Sequence, residues 1–112
     1  MLSFQRMDVY QRSIEFLALV FQFAQGIPRG HAAIIDQLRR AASSIPLYIA
    51  EAAGRTGSAD AARHYAIARG SAMECAAVLD VGRLLGIVDE ARFTKGSEWL
   101  TRVVEMLTRL CR

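Results

Sequence analysis

The sequence predicts an all-α fold: an antiparallel up-and-down four-helix bundle with a proline-kinked second helix. Three observations predict it. Apolar residues recur at three- and four-residue spacing through four long blocks, the period of a helix with a buried face. Only three short breaks separate the blocks, and short connections force neighbouring helices to run antiparallel. The stretch Gln37 to Arg55, QLRRAASSIPLYIAEAAGR, reads as helical on both sides of Pro46. The 112 residues show no internal repeat and no low-complexity tract, so 1–112 is read as a single four-helix bundle domain.

Helix one is expected from about Met7 to Gln25. Tyr10, Ile14, Leu17, Phe21 and Ala24 make one stripe and Val9, Phe16, Val20 and Phe23 another, which together give a wide apolar face. Gly26-Ile27-Pro28-Arg29-Gly30 stops it. Helix two, from about His31 to Ala53, places Ile34, Ile35, Leu38, Ala42, Ile45, Ile49 and Ala52 in one arc. Gly54 and Gly57 end it. Helix three opens at Ser58 or Ala59 and runs to about Leu85, where Gly86 caps it. Asp89 is the N-cap of helix four, whose Leu100, Val103, Leu107 and Leu110 form a 3-4 stripe.

Pro46 has no N–H, and its ring crowds the carbonyl of Ala42, at a cost of roughly 3 kcal/mol unless compensated. The flanking Ala41, Ala42, Ser43 and Ser44 are small enough for another helix to approach closely, and the two hydroxyls can answer backbone groups that the proline frees. Gly70, inside helix three, is expected to permit close backbone approach near this bend, and Ser71 to satisfy a carbonyl.

Composition limits the function. At 53% hydrophobic the chain holds more apolar surface than one interior needs, so part of it is expected between subunits. The net charge is +3, and every basic residue but Lys95 is arginine, suited to planar contacts with carboxylates or phosphates. The longest apolar stretch, Phe16 to Ala24, is interrupted by Gln22 and far short of the ~20 residues of a membrane span. No secretion signal is visible, and Cys75 and Cys111 form no CxxC, so a reducing cytoplasm is expected and both cysteines read as small core residues. Only His31 and His64 are available for catalysis, with no HExxH, no Glu-x-x-His pair, no phosphate-binding glycine loop and no nucleophile elbow. Asp60, His64 and Cys75 share a face, a spacing that chance readily produces. No enzyme activity, cofactor or metal is expected.

The Gln37 to Arg55 stretch resembles the signature of the four-helix bundle family named after the intervening sequences of 23S ribosomal RNA genes, approximately QLRRAxxSIPxNIAEGxGR. Gln37, Leu38, Arg39, Arg40, Ala41, Ser44, Ile45, Pro46, Ile49, Ala50, Glu51, Gly54 and Arg55 fall in place. Ala68-Arg69-Gly70-Ser71 with Glu74 and Leu79 resembles the family's third helix, and Asp8-Val9-Tyr10 its start. Tyr48 and Ala52 depart from it, where the family usually has Asn and Gly. The resemblance implies an up-and-down bundle that assembles into rings, usually pentamers. It also implies kinship with the accessory protein of diversity-generating retroelements, a basic bundle that works beside a reverse transcriptase on nucleic acid. Around a five-membered ring the charge would be about +15, enough to attract polyanions if the arginines share one face.

Two functional readings remain open. Arg39, Arg40, Arg55, Arg63 and Arg69 form a basic surface that contacts RNA or DNA phosphates without reading sequence. Alternatively they pair with Glu51, Glu74 and Asp36, the last with Arg40, to fix helix packing in a protein-interaction scaffold. Leu47 on helix two, and Ile67, Val78, Val81 and Leu85 on helix three, are the candidate subunit interface. Ile45→Asp is expected to unfold the bundle by placing an unpaired charge in its core. Leu47→Asp is expected to disrupt assembly with helicity intact; circular dichroism and light scattering separate the two effects.

Overall fold

A computed structural model describes residues 1–112. Its elements are a 3-10 turn at Ser3–Arg6, α1 at Asp8–Ala24, a second 3-10 turn at Arg29–His31, α2 at Ala32–Ala53, α3 at Ser58–Leu84 and α4 at Glu90–Leu110. No helix is long and apolar enough to cross a membrane.

The ends follow local chemistry. Asp89 caps α4 by accepting the backbone N–H of Arg92 at 2.8 Å. Gly86 turns the chain out of α3 with φ of 75°, a left-handed conformation that costs glycine nothing. α2 is helical without interruption through Pro46, which is itself buried. Ser44 donates to the carbonyl of Ala41 at 2.9 Å rather than to that of Ala42, and the Ser44 and Ser71 hydroxyls share a hydrogen bond between α2 and α3.

Cross-helix contacts fix the directions. Gln37 and Ser44 along α2, and Arg55 just past its end, meet Glu74, Ser71 and His64 of α3, so numbers rise on one side as they fall on the other. Arg69 with Thr108 and Arg83 with Glu90 give the same opposed sense for α3 and α4. A single cluster of 22 buried apolar residues fills the interior. Of helix one's two stripes, Val9, Phe16, Val20 and Phe23 are buried, whereas Ile14 and Phe21 of the other stripe are exposed.

Close approach occurs at glycines that the sequence reading did not single out. A Cβ on Gly82 would lie 2.5 Å from Val88 Cγ2, and one on Gly96 would lie 3.0 Å from Leu79 Cδ1. Gly70 was expected to play this part, but it is exposed and nothing lies within 4 Å of where its Cβ would be. The seam between α2 and α3 is instead made close by alanines and by the serine pair.

Gly82→Ala is expected to destabilise the fold by about 1–3 kcal/mol through overpacking. Gly70→Ala is expected to stabilise it by about 0.5–1 kcal/mol by removing glycine from an open helix position. Urea denaturation of both variants checks the opposite signs.

Candidate nucleic-acid interface

Where α2 ends and α3 begins, Arg55 lies among Glu51, Asp60 and His64. Its guanidinium is 3.6 Å from a carboxylate oxygen of Glu51 and 3.6 Å from one of Asp60. Arg63 donates to Asp60 at 3.0 Å. His64 is 5% exposed, with Nδ1 2.8 Å from the Asp60 carbonyl oxygen and Nε2 3.2 Å from Arg55 Nη2. A carbonyl only accepts and a guanidinium only donates, so a neutral ring with its proton on Nδ1 satisfies both neighbours. The hydrogen bond from Arg63, reinforced by the Arg55 charge, holds the Asp60 carboxyl below its ordinary value. The Asp89 carboxyl is lowered too, chiefly by the backbone N–H of Arg92. Cys75 is fully buried, and burial pushes its thiol up to about 12.

The five arginines expected to share a surface do not lie together. Arg39 and Arg40 are in the first half of α2 and Arg55 and Arg63 are at the opposite end of the bundle, while Arg69 is near the middle of α3. Arg39 is held by Asp36 at 3.1 Å, at i,i+3, and lies over the Phe21 ring. The expected pair of Asp36 with Arg40 is thus replaced, and Arg40 is exposed without an ion pair. Arg69 donates from Nε to the Thr108 hydroxyl at 2.8 Å, which ties it to α4. Glu74, also expected to meet an arginine, accepts instead from Gln37 at 3.3 Å.

The charges are unevenly divided along the bundle. The end made by the first halves of α1 and α3 and the second halves of α2 and α4 carries Arg6, Arg12, Arg55, Arg63, Arg69, Arg102, Arg109 and Arg112. Its carboxylates are Asp8, Glu15, Glu51, Asp60 and Glu105. At the other end Arg29, Arg39, Arg40, Arg83, Arg92 and Lys95 are balanced by Asp36, Glu74, Asp80, Asp89, Glu90 and Glu98. The surplus of positive charge therefore belongs to one end. There, Arg12, Arg55, Arg63 and Arg102 are ion-paired, while Arg6, Arg69, Arg109 and Arg112 are not. The sequence reading passes over Arg109; its position two turns after Arg102 on α4 is the signal that marks it.

The family described as 23S rRNA-intervening sequence protein matches residues 5–109. The chain belongs to this family. Its fold is similar to a crystal structure from Bacteroides thetaiotaomicron, described as a protein of unknown function from the S23 ribosomal protein family. The two share 19% identity and superpose with a TM-score of 0.82, over 93% of this chain and 98% of the other. No curated protein matches the sequence.

Ile45, Pro46 and Ile49 are core, Ser44 and Ser71 join α2 to α3, and Glu51 pairs with Arg55 across one turn. Tyr48, where the family usually has Asn, lies 6.3 Å from the His64 ring, centroid to centroid. Among the expected interface residues, Leu47, Ile67, Val81 and Leu85 are exposed. Val78 is not: it is 6% exposed and belongs to the protomer's own core. On a helical wheel Val78 and Ile67 are only about 20 degrees apart. Their difference depends on height along the bundle, which a wheel does not encode.

The lowered Asp60 carboxyl contributes stability that is present above its unfolded value and lost as pH falls through the folded one. Asp60→Asn is expected to weaken the fold at neutral pH. Its deficit against wild type is expected to shrink as acidification passes below the ordinary value of 3.8, measured by urea denaturation across that range.

Proposed function

We propose that this chain is a non-enzymatic, homo-oligomeric nucleic-acid-binding bundle that holds RNA or DNA by its phosphate backbone. The observation that carries this reading is the charge asymmetry. The net positive charge belongs to the end bearing Arg69 and Arg109, two guanidinium groups without carboxylate partners, and oligomerisation repeats that end in each copy. Arg55 and Arg63, which share Asp60, border it with partly neutralised charge. Few aromatic side chains are free for stacking on bases, which favours contact with the backbone over readout of sequence.

The non-catalytic reading is supported by how the reactive groups are used. Both His64 nitrogens are engaged by Asp60 and Arg55, and the Cys75 thiol is buried at a raised pKa. The family resemblance favours a pentameric ring, a cytoplasmic setting and a reverse-transcriptase-like or other nucleic-acid-handling protein as a further partner. A second reading, a protein-interaction scaffold, is favoured by one observation: Arg39, Arg55 and Arg63 are already ion-paired within the protomer.

A salt titration of binding to mixed RNA and DNA fragments decides between them. With four phosphate contacts, affinity is expected to fall on the order of a hundredfold between about 50 and 200 mM salt. Arg69→Ala with Arg109→Ala is expected to weaken binding to all sequences equally and to reduce the slope of log affinity against log salt by about 2. Absence of binding at low salt selects the scaffold.

A further inference from the structure

Arg55 stands at the basic end of the bundle, just past α2, with three acceptors around its guanidinium. The carboxylates of Glu51 and Asp60 are each 3.6 Å away, beyond hydrogen-bond distance, so both are loose, solvated attractions. The contact with His64 Nε2 at 3.2 Å is the one hydrogen bond that this side chain makes. A histidine therefore holds the arginine.

That hold exists only while the ring is neutral. Nδ1 donates to the Asp60 carbonyl oxygen at 2.8 Å, which leaves the Nε2 lone pair to accept from the guanidinium. Once Nε2 takes a proton from solvent it is a donor, facing a group that has only donors and a positive charge of its own. The new imidazolium has a partner in the Asp60 carboxylate, 3.6 Å from Nδ1 and the only carboxylate within 4 Å of the ring. Arg55 keeps only its loose pairs.

The titratable and charged groups around the ring are Tyr48 and, through Arg55, Glu51 from α2, Arg55 itself from the connection, and Asp60 with its bound Arg63 from α3. With His64 neutral, two arginines balance two carboxylates. Protonation adds one positive charge, and outward movement of Arg55 takes one away. The ring is 5% exposed and enclosed, whereas the Arg55 side chain is 41% exposed and free to move outward.

We propose that His64 is a proton-operated latch on Arg55: neutral, it holds the guanidinium against the bundle, and protonated, it releases it to a nucleic-acid phosphate. The exchange also runs in reverse. A phosphate that draws Arg55 away leaves Nε2 without a donor, and a proton from solvent fills that position, so binding takes up a proton and affinity rises as pH falls. For a single proton the rise is at most about tenfold per pH unit. The Asp60 carboxyl, held below its ordinary value, stays ionised through the range in which histidine changes charge and so serves both states. This regulates the phosphate contact of the proposed function and rests on that reading, while the latch itself belongs to the free protein.

Nitrogen-15 NMR of the full chain, titrated from about pH 8 to about pH 5, tests the latch without a ligand. The His64 ring is expected to start neutral with its proton on Nδ1 and to gain one on Nε2, and the Arg55 side-chain resonances are expected to shift at the same midpoint. Arg55→Ala is expected to raise that midpoint, because it removes the opposing cation. Binding to mixed RNA and DNA fragments at fixed salt is expected to tighten about threefold or more over the same range in wild type and in His31→Ala. Arg55→Ala and His64→Gln are both expected to lose this pH dependence. A ring that stays neutral to about pH 5, one that starts with its proton on Nε2, or an Arg55 that ignores the His64 titration overturns the latch. Salt-sensitive binding whose pH dependence survives in Arg55→Ala overturns the gating of phosphate contact and spares the functional reading. Coupled titration without nucleic-acid binding at any pH sinks the functional reading and leaves the latch standing.

Discussion

The close seam between α2 and α3 is the constraint from which the rest of the bundle follows. Ala41, Ala68 and Ala72 are at most 6% exposed, and Ser44 and Ser71 share a hydrogen bond between the same two helices. Alanine fixes little side-chain entropy and lets two backbones come near, so the seam is narrow without being empty. Larger side chains then have to come from the other helices and from the inner phase of α2. Phe16, Val20 and Phe23 from α1, Ile45 and Ile49 from α2, and Leu100, Val103 and Leu107 from α4 fill that volume. The serine pair adds register, because its partners are satisfied only when the helices stand at one height.

Much of this architecture is legible before any coordinates. The four helices, the Asp89 cap and the Gly86 turn are local events, set by period, capping chemistry and backbone freedom, and they lie within a residue or two of where the sequence puts them. Helix phase is also legible, which is why Leu38, Ile45 and Ile49 are core and Leu47 is exposed. Height is not. Val78 and Ile67 share nearly one phase and differ in what lies level with them. Gly70 and Gly82 are both helical glycines, yet only the second faces a neighbouring chain segment, Val88.

Charge partners are still harder to read from sequence. An aspartate four residues before one arginine and three before another is offered both; Asp36 takes Arg39, and Arg40 is left to solvent. Arg69 finds a hydroxyl on α4, 39 residues away in sequence, which no local rule supplies. The basic end is therefore a property of the assembled bundle. It appears only when antiparallel helices bring the late part of α4 beside the early part of α3. Solvated ion pairs such as those of Arg63 and Arg92 contribute little stability individually. Their greater effect is to decide which guanidinium groups remain available.

The two cysteines differ in a way that outlasts any question of assembly. Cys75 is sealed in the core with its thiol raised to about 12, whereas Cys111 is half-buried at the end of α4. An alkylating reagent can meet the first sulfur only when the bundle opens, because reaction needs both access and a thiolate. Cys75 is thus an internal clock: its modification rate in the native protein counts excursions to open states, with the fully denatured chain as the reference for unhindered chemistry.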